Sequence, residues 1–437
     1  MQKRTQKILS VIIVILISTQ LIAQNPLAYG PRAKSMAGAG VANIENSLWG
    51  NMNPGGLVFL GQKVGVGIEV QLPTSSFNVI GEPRTFEQTQ SYQWPLGLNT
   101  GDLNAESKTN VIPQIGVNLA IDEDNSIAVS IYGSGNRGAS YVENIYHSSV
   151  IAGFGSGEGF INPMGTITSP TFIKLNQYFA SLSYSRKIGK KVGVGLSAVG
   201  AWQSLNVGGM EAFGSIPSYS EFPDAVSTNG VSNSYGIGAK LGVQWKAMEK
   251  LQFGFSYRSK IYMGAFDAYK GLLSESGRLD IPSEWNLGLL YSPTSSFKIA
   301  LDVNRICHSR VQSWGNSVLD EQAIRFGGED GGGLGRKDQM SYKIGVQYKI
   351  PKWQFRAGFA HSDQSINEDD IVFNILLPEI NTDFVSLGLS RKIGKQTVNL
   401  ALVKSLNTSL IGHNALDSNQ EIEISSESLV FEVSVEF

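Results

Sequence analysis

The chain of 437 residues has a net charge of −2, and charged residues make up only 16% of it. A nucleic-acid-binding protein needs a basic face, so this balance argues against such a partner. The charge content is low for a soluble protein, whereas a mean hydropathy of −0.05 is too polar for a bundle of membrane helices. A transmembrane β-barrel reconciles both values, because half of its side chains face lipid and half face water.

The chain begins with the pattern of a secretory signal. A basic stretch with Lys3, Arg4 and Lys7 precedes the apolar run ILSVIIVILI at 8–17, and Ala23 offers a small residue for cleavage. The alternative is a membrane anchor, which needs about 20 apolar residues to span the hydrocarbon, so this run is too short. The sequence therefore predicts a signal peptide at residues 1–23 that is cleaved near Ala23.

Residues 24–61 form a separate stretch that is rich in small residues and lacks strand alternation. From residue 62 onward, apolar and polar residues alternate in run after run, as in YKIGVQYKI at 342–350. A period of two places the two sets on opposite faces of a strand. The pattern predicts strands at residues 63–72, 111–121, 126–135, 174–187, 191–207, 232–247, 250–262, 278–292, 296–313, 338–350, 352–364, 382–394, 396–410 and 427–437.

The connectors between these strands alternate between short turns, such as DEDN at 122–125, and long loops. The long loops are residues 82–110, 136–173, 208–231, 263–277, 314–337, 365–381 and 411–426. Outer-membrane barrels have short periplasmic turns and long external loops, and a soluble sandwich has no reason to alternate them. We therefore predict an all-β protein, with a closed transmembrane antiparallel β-barrel of about fourteen strands at residues 62–437.

The predicted strands carry charges on one face and aromatic residues on the other. We place Phe253, Val346 and Phe355 toward lipid. The charged residues that we expect to face the lumen, where each needs a partner, are Arg258, Asp302, Lys343, Arg356, Glu432 and Glu436. The chain ends at Phe437 on an amphipathic strand, and barrel-insertion machinery reads a terminal aromatic residue of this kind.

A barrel of this size is either filled or open. Every backbone polar group in hydrocarbon needs an internal partner, so the sheet must close on itself. About fourteen strands enclose a lumen that the side chains of the wall alone do not fill. Residues 24–61 are the segment available to fill it, and we predict that they form a plug.

Two stretches near the start of the mature chain are SMAGAGVA at 35–42 and NMNPGGL at 51–57. They resemble the start of the FadL family of outer-membrane transporters for long-chain fatty acids and hydrocarbons, with Gly55 where its Asn-Pro-Ala motif has Ala. The order and spacing of the stretches carry the resemblance over nearly the whole mature chain. The further stretches are 235–261, 279–303, 341–363 and 377–395.

The resemblance implies a mechanism. A hatch that contains Asn53, Pro54 and Gly55 plugs the barrel, and external loops collect a hydrophobic ligand. The ligand then leaves sideways through an inward kink in the third strand. Gly133 and Gly135 lie in that strand, where glycine permits a bend, although glycine is frequent throughout this chain. The loop at 208–231 corresponds to the family's third external loop, and its apolar residues suit ligand capture: Met210, Phe213, Ile216, Tyr219 and Phe222.

Patterns for catalysis or cofactor binding fail on context. Residues 133–138 spell GxGxxG, but no helix follows and no βαβ unit surrounds them, so the context favours ordinary barrel glycines over a dinucleotide site. The four histidines are not at metal-ligand spacing, and Cys307 allows neither an internal disulfide nor a paired-cysteine metal site. We assign no catalytic residue, metal or cofactor, and we predict that the protein is not an enzyme.

Three functions remain after these exclusions. The first is passive uptake of long-chain fatty acids or other hydrophobic small molecules by a monomeric barrel, whose partners are the ligand, outer-membrane lipid and the insertion machinery that reads Phe437. The second is a general diffusion porin for polar solutes, and the third is a surface barrel that acts as an adhesin or an enzyme. Residues 24–61 and the apolar loop at 208–231 favour the first function, because an open porin needs no plug. All three place the protein in the outer membrane of a Gram-negative cell.

Overall fold

The wall of the protein is one antiparallel sheet in which each strand pairs with the next strand along the chain, and the last pairs with the first. The structure is a computed structural model that describes residues 30–84, 97–147, 169–214, 219–318 and 325–437. The predicted signal peptide and its cleavage site near Ala23 lie outside the described residues.

Fourteen strands make up this wall, and three of them are interrupted. They are β1 (Lys63–Ile80), β2 (Gly101–Asn104 and Asn110–Ala120), β3 (Asn125–Asn136), β4 (Phe172–Ile188), β5 (Val192–Gly208), β6 (Ser232–Met248), β7 (Leu251–Arg258 and Tyr262–Met263), β8 (Glu284–Tyr291), β9 (Phe297–Ile306), β10 (Gln339–Lys349), β11 (Trp353–Ser362), β12 (Asp383–Ile393), β13 (Gln396–Ser405 and Thr408–His413) and β14 (Glu421–Glu436). The predicted closed barrel of fourteen strands is confirmed.

The helices are short and lie in the N-terminal segment and the loops. The α-helices are α1 (Pro31–Lys34), α2 (Ser274–Gly277), α3 (Gln312–Gly315) and α4 (Ile371–Asn374). The 3-10 helices are Trp49–Asn51, Pro54–Phe59, Glu211–Phe213, Pro223–Ala225, Asp267–Tyr269, His308–Arg310 and Glu368–Asp370. In the described part of the chain, no helix is long and apolar enough to cross a membrane.

The closing pair of strands is longer than the sequence pattern indicated. β1 continues to Ile80 instead of ending at residue 72, and it stays paired with β14 from Gly65–Glu436 to Ile80–Glu421. The hydrophobic alternation breaks at Pro73, Thr74 and the two serines that follow, although the ladder does not. Backbone pairing can continue where the outward side chains are polar, so the period-two pattern stopped before the strand did.

The strand register agrees with the prediction. Phe355 is 46% exposed on the outer face, whereas the neighbouring Arg356 is 3% exposed and points inward. The six predicted lumen charges are all buried. Since a slip of one residue would move every side chain to the opposite face, this alternation fixes the pairing.

Residues 30–61, here called the N-terminal segment, run along the inner face of the wall near the end with the short turns. Their backbone approaches the wall so closely that a Cβ atom on any of seven wall glycines would lie within 3.0 Å of a backbone atom of the segment. These glycines are Gly116, Gly193, Gly195, Gly242, Gly254, Gly345 and Gly358. The glycines of the inner face are therefore a seat for the segment.

The other end of the barrel, which carries the long loops, is closed by a hydrophobic core. Buried apolar residues of nearly all the loops pack together there, among them Tyr141, Phe213, Phe266, Trp314 and Phe373. Phe77 and Ile424 contribute from the extended ends of β1 and β14. The polar cavity described below lies in the lumen between this loop core and the N-terminal segment, and the apolar cavity lies within the loop core.

Candidate functional site

Ion pairs hold the N-terminal segment to the wall. Lys34 pairs with Glu69 and also lies 3.6 Å from Glu432. Arg32 lies 3.6 Å from Glu436. Both glutamates of β14 were predicted to face the lumen and to need partners, and the segment supplies those partners.

Four further contacts extend this anchoring to strands β9 and β11. Glu45 of the segment lies 2.7 Å from Lys298 and 3.7 Å from Arg356. Asp302 accepts hydrogen bonds from the backbone N–H groups of Gly40 and Val41, at 2.6 and 2.8 Å. A buried charge without a partner is costly, so the wall and the segment stabilise each other.

The predicted hatch motif lies against β5 and β6. The Asn53 side chain donates hydrogen bonds to the carbonyls of Val41 and Val243, and its Oδ1 accepts from the Gly55 N–H at 3.0 Å. Pro54 begins the 3-10 helix that follows. A Cβ on Gly55 would lie 2.7 Å from the carbonyl oxygen of Gly242, so this position accepts glycine and not the alanine of the family motif.

The predicted kink of the third strand coincides with an irregularity in the ladder. The pairing of β3 with β4 shifts register between Gly133 and Gly135, and Gly135 has a φ of 72°. A positive φ of this size is readily adopted by glycine alone. Gly133 and Gly135 therefore lie in a β-bulge.

The ladder between β2 and β3 also opens at this position. It runs from Ala120–Ser126 to Ile115–Ile131, while β3 continues along β4 and β2 continues along β1. A backbone bond resumes between the Glu106 N–H and the Ser140 carbonyl at 2.8 Å. The stretch of wall between these two points has no regular pairing.

The side chain of Ile112 covers this stretch from the lumen. Its Cγ2 atom would lie 3.1 Å from a Cβ on Gly133, and its Cδ1 atom 3.0 Å from a Cβ on Gly135. Ile112 is only 1% exposed. The bulge and this side chain fit together, and the wall is closed here by side-chain packing instead of backbone hydrogen bonds.

A polar cavity of about 80 Å³ lies in the lumen between the segment and the loop core. Asn51 and Met52 of the segment line one side of it, and Tyr132 and Ser134 of the bulged strand line another. Four cationic side chains and one carboxylate also line it: Arg137, Lys240, Arg258, Lys343 and Glu284. This lining gives the cavity an excess of positive charge.

An apolar cavity of about 60 Å³ lies within the loop core. Its lining includes Met210, Leu273, Trp314, Phe326 and Phe373. The two cavities therefore differ in their lining. The one in the loop core is apolar, and the one in the lumen is lined by cationic side chains.

The three predicted residues of the ligand-collecting loop have different places. Met210 lines the apolar cavity, and the Phe213 ring packs beside it, with its centroid 5.7 Å from those of Phe326 and Phe373. Phe222 is half-buried under the ammonium group of Lys270 and is not among the residues that line the cavity. Ile216 lies outside the described residues.

Comparison with known proteins bears on the same features. A family model described as outer membrane protein transport protein (OMPP1/FadL/TodX) matches residues 174–405, which is more than half of the chain. The chain belongs to this family. FadL-family membership makes it an outer-membrane β-barrel. No curated protein matches the sequence.

Solved structures of FadL-type barrels share the fold. The Pseudomonas putida toluene transporter TodX is 17% identical with a TM-score of 0.61, and the match covers 94% of this chain and 98% of that one. A Pseudomonas aeruginosa FadL homologue is 16% identical with a TM-score of 0.63, with 96% and 99% covered. The Ralstonia pickettii toluene transporter TbuX is 16% identical with a TM-score of 0.55, with 93% and 98% covered. At these identities the likeness concerns the fold alone.

One cluster in this FadL-family chain was not predicted. Arg137 donates two hydrogen bonds of 2.7 Å to the carboxylate of Glu379, and Arg336 also pairs with Glu379. Both guanidinium groups lie over the ring of Trp314. Burial alone favours the neutral acid, but the two arginines outweigh it and hold the pKa of Glu379 at about 2.

His308 borders this cluster and stays neutral. Burial, aided by the positive charges of Arg336 and Arg137, lowers the pKa of His308 to about 3. Its Nδ1 atom is buried without a hydrogen-bond partner in the described structure.

The sequence had no local signal for these residues. Arg336 and Glu379 lie in long loops without periodicity, and the glycine-rich stretch before Arg137 predicts a strand kink and not an ion-pair cluster. Within the described ranges, no three acidic, histidine or cysteine side chains come together as a metal site.

Proposed function

We propose that the protein is a passive uptake channel for hydrophobic small molecules that carry a carboxylate, with long-chain fatty acids as the substrate class. The observation that supports it is the succession of an apolar cavity in the loop core and a cationic cavity in the lumen. The apolar lining of the first cavity suits part of an acyl chain. The cationic lining of the second suits a carboxylate, because a buried anion is stabilised by cations that pair with it. The relatives named as toluene transporters support an apolar ligand, whereas a neutral hydrocarbon has no use for four cationic groups.

The proposed route uses the features of the wall and the segment. The loop core faces the outside and captures the ligand. Met210 lines its apolar cavity, and the ring of Phe213 packs beside that cavity. The N-terminal segment, with Asn53, Pro54 and Gly55, acts as the hatch. Exit is lateral at the bulge of Gly133 and Gly135, because release into water would expose the acyl chain at about 25 cal/mol per Å².

The remaining partners follow from the same barrel. We propose that Phe437 is read by the insertion machinery, and its backbone is hydrogen-bonded to Val64 of the first strand, where the barrel closes. Its side chain is 54% exposed on the outer face. The outward aromatic and aliphatic residues contact outer-membrane lipid, and the barrel acts as a monomer without a cofactor.

A diffusion porin is the second candidate, and the ion-paired segment argues against it. A porin conducts through an open lumen, but Lys34, Glu45 and Asp302 tie the segment across this one. No arrangement in the described residues favours an enzyme or an adhesin.

Uptake of labelled hexadecanoic acid tests the proposal in a Gram-negative host that lacks its own fatty-acid channel. Wild-type protein should restore uptake of the acid, and Lys343→Gln should lower it by about tenfold, because one charged contact is worth about 1.5–3 kcal/mol. Lys404→Gln is the matched control, since Lys404 pairs with Glu427 in a partly exposed pair away from the cavity. Restoration of toluene entry without any acid uptake would contradict the carboxylate, and uptake of neither would contradict the channel.

A further inference from the structure

The Arg137–Glu379–Arg336 cluster joins three parts of the chain that are distant in sequence. Arg137 follows the bulged strand β3, Arg336 lies in the loop before β10, and Glu379 lies in the loop before β12. The side chains of both arginines are 1% exposed, and that of Glu379 is 13% exposed. The cluster is therefore a buried carboxylate held by two guanidinium groups.

This cluster lies between the two cavities described above. Trp314 lines the apolar cavity with one part of its surface and receives both guanidinium groups, at 4.4 and 5.0 Å from the ring centroid. Arg137 lines the polar lumen cavity. Arg336 and Glu379 line a smaller space of about 30 Å³, and His308 lines both this space and the lumen cavity. A ligand that passes from the apolar to the polar cavity meets the cluster.

The charges of the cluster do not balance. Two guanidinium groups face one carboxylate, and the adjacent His308 is neutral. One positive charge is therefore left over in a buried place, beside an unpartnered Nδ1 atom of His308. A second carboxylate would compensate that charge, and the planar fork of an arginine matches a carboxylate with two parallel hydrogen bonds.

We propose that Arg137 and Arg336 form a transit site for the carboxylate of the ligand, and that Glu379 is a resident carboxylate that holds this site until the ligand arrives. The inference rests on the proposed function and adds the residues that select the carboxylate during passage. Glu379 lies in a loop instead of a strand, so its side chain can move away from an arginine without breaking backbone hydrogen bonds of the barrel. Arg137 lies two residues beyond Gly135, directly after the strand that carries the proposed exit.

Binding of two ligands of equal length tests this inference on the purified full-length barrel in non-ionic detergent. The ligands are labelled hexadecanoic acid and labelled hexadecanol, and the readout is the ratio of their dissociation constants. Glu379→Gln removes the resident charge, so the acid should bind about tenfold more tightly relative to the alcohol, since each charged contact changes affinity by about this factor or more. Glu427→Gln is the matched control, because it neutralises a carboxylate of a partly exposed pair outside the site.

A second variant guards against a fold defect in the first. Arg137→Lys keeps the charge and loses the two-pronged fork, so acid binding should weaken by about tenfold while alcohol binding stays the same. A merely structural role for the cluster would lower the melting temperature and leave the ratio unchanged in both variants, which would overturn the inference. If the wild type and both variants bind the two ligands with the same ratio of dissociation constants, the transit site is refuted and the proposed function is not. Binding of neither ligand by the wild type would refute the proposed function as well.

Discussion

Replacement of Gly135 by valine is the most direct test of the lateral route. Gly135 has a φ of 72°, in the left-handed region that valine avoids. A Cβ at this position would also lie 3.0 Å from Cδ1 of Ile112 and 3.3 Å from Oε1 of Gln71. The variant should therefore disfavour the bulge and favour regular pairing of β3.

The size of the effect follows from the backbone conformation. A non-glycine residue held in this region costs of the order of 1–3 kcal/mol, and a β-branched residue lies toward the upper end. Taking about 2 kcal/mol as the bias toward the regular strand, the bulged population falls by about thirtyfold. If the bulge is the exit, the uptake rate of hexadecanoic acid should fall by up to about thirtyfold as well.

The assay is initial uptake by whole cells, normalised to the amount of folded barrel, which heat-modifiable mobility on gels reports. Gly200→Val is the matched control, because Gly200 lies in β5 and a Cβ there would meet only the Ala180 carbonyl, at 3.8 Å. The control should fold and transport normally. Wild-type uptake by folded Gly135→Val protein would refute a lateral exit at this bulge. The double replacement of Gly133 and Gly135 should have at least as large an effect, because a Cβ on Gly133 would lie 2.8 Å from the Tyr178 ring.

Three further predictions concern the segment, the loop cluster and the energy source. Gly254→Val should unseat the N-terminal segment, because a Cβ there would lie 2.4 Å from the Val41 carbonyl, and single-channel conductance should rise; unchanged conductance would argue against a plug. His308 stays neutral in the folded protein down to a pKa of about 3, whereas it gains a proton below about 6.5 when unfolded, so stability should fall as pH drops between these values. At pH 4.5 the wild type should have lost about 2–3 kcal/mol of its free energy of unfolding through His308, and His308→Asn should not show this loss in thermal melting in detergent. The control His413→Asn, at an exposed histidine, should lose stability as the wild type does. Finally, uptake should persist when the inner-membrane proton gradient is dissipated and ligand trapping in the cytoplasm is held constant, and its loss would contradict passive diffusion.

The barrel itself could be predicted from the sequence because its determinants are local. A strand with one face in lipid and the other in a polar lumen has to alternate with a period of two, so each strand is visible in its own residues. The alternation of turns and loops supplied the topology, and charges such as Asp302 and Arg356 supplied the register. The period-two alternation ends where the outer face of a strand no longer has to be apolar. The sequence therefore predicted an end of β1 at residue 72, although its backbone pairing continues to Ile80.

The position of the bulge could be anticipated from glycine and from family resemblance, but its closure could not. Ile112 covers Gly133 and Gly135 because β2 and β3 part at Ile131, and that depends on how two neighbouring ladders end. The glycines that seat the N-terminal segment looked like ordinary barrel glycines, since nothing in a strand's own sequence shows what approaches its inner face.

The arginine cluster was decided entirely by tertiary structure. Arg137, Arg336 and Glu379 come from a strand end and two loops, and each is surrounded by residues without any periodic pattern. Closure of the barrel brings the three loop bases to one place, and the buried Trp314 gives both guanidinium groups a common surface. Periodicity reports which face a residue occupies, whereas contact between distant loops depends on the closed circumference of the sheet, which no local stretch of sequence encodes.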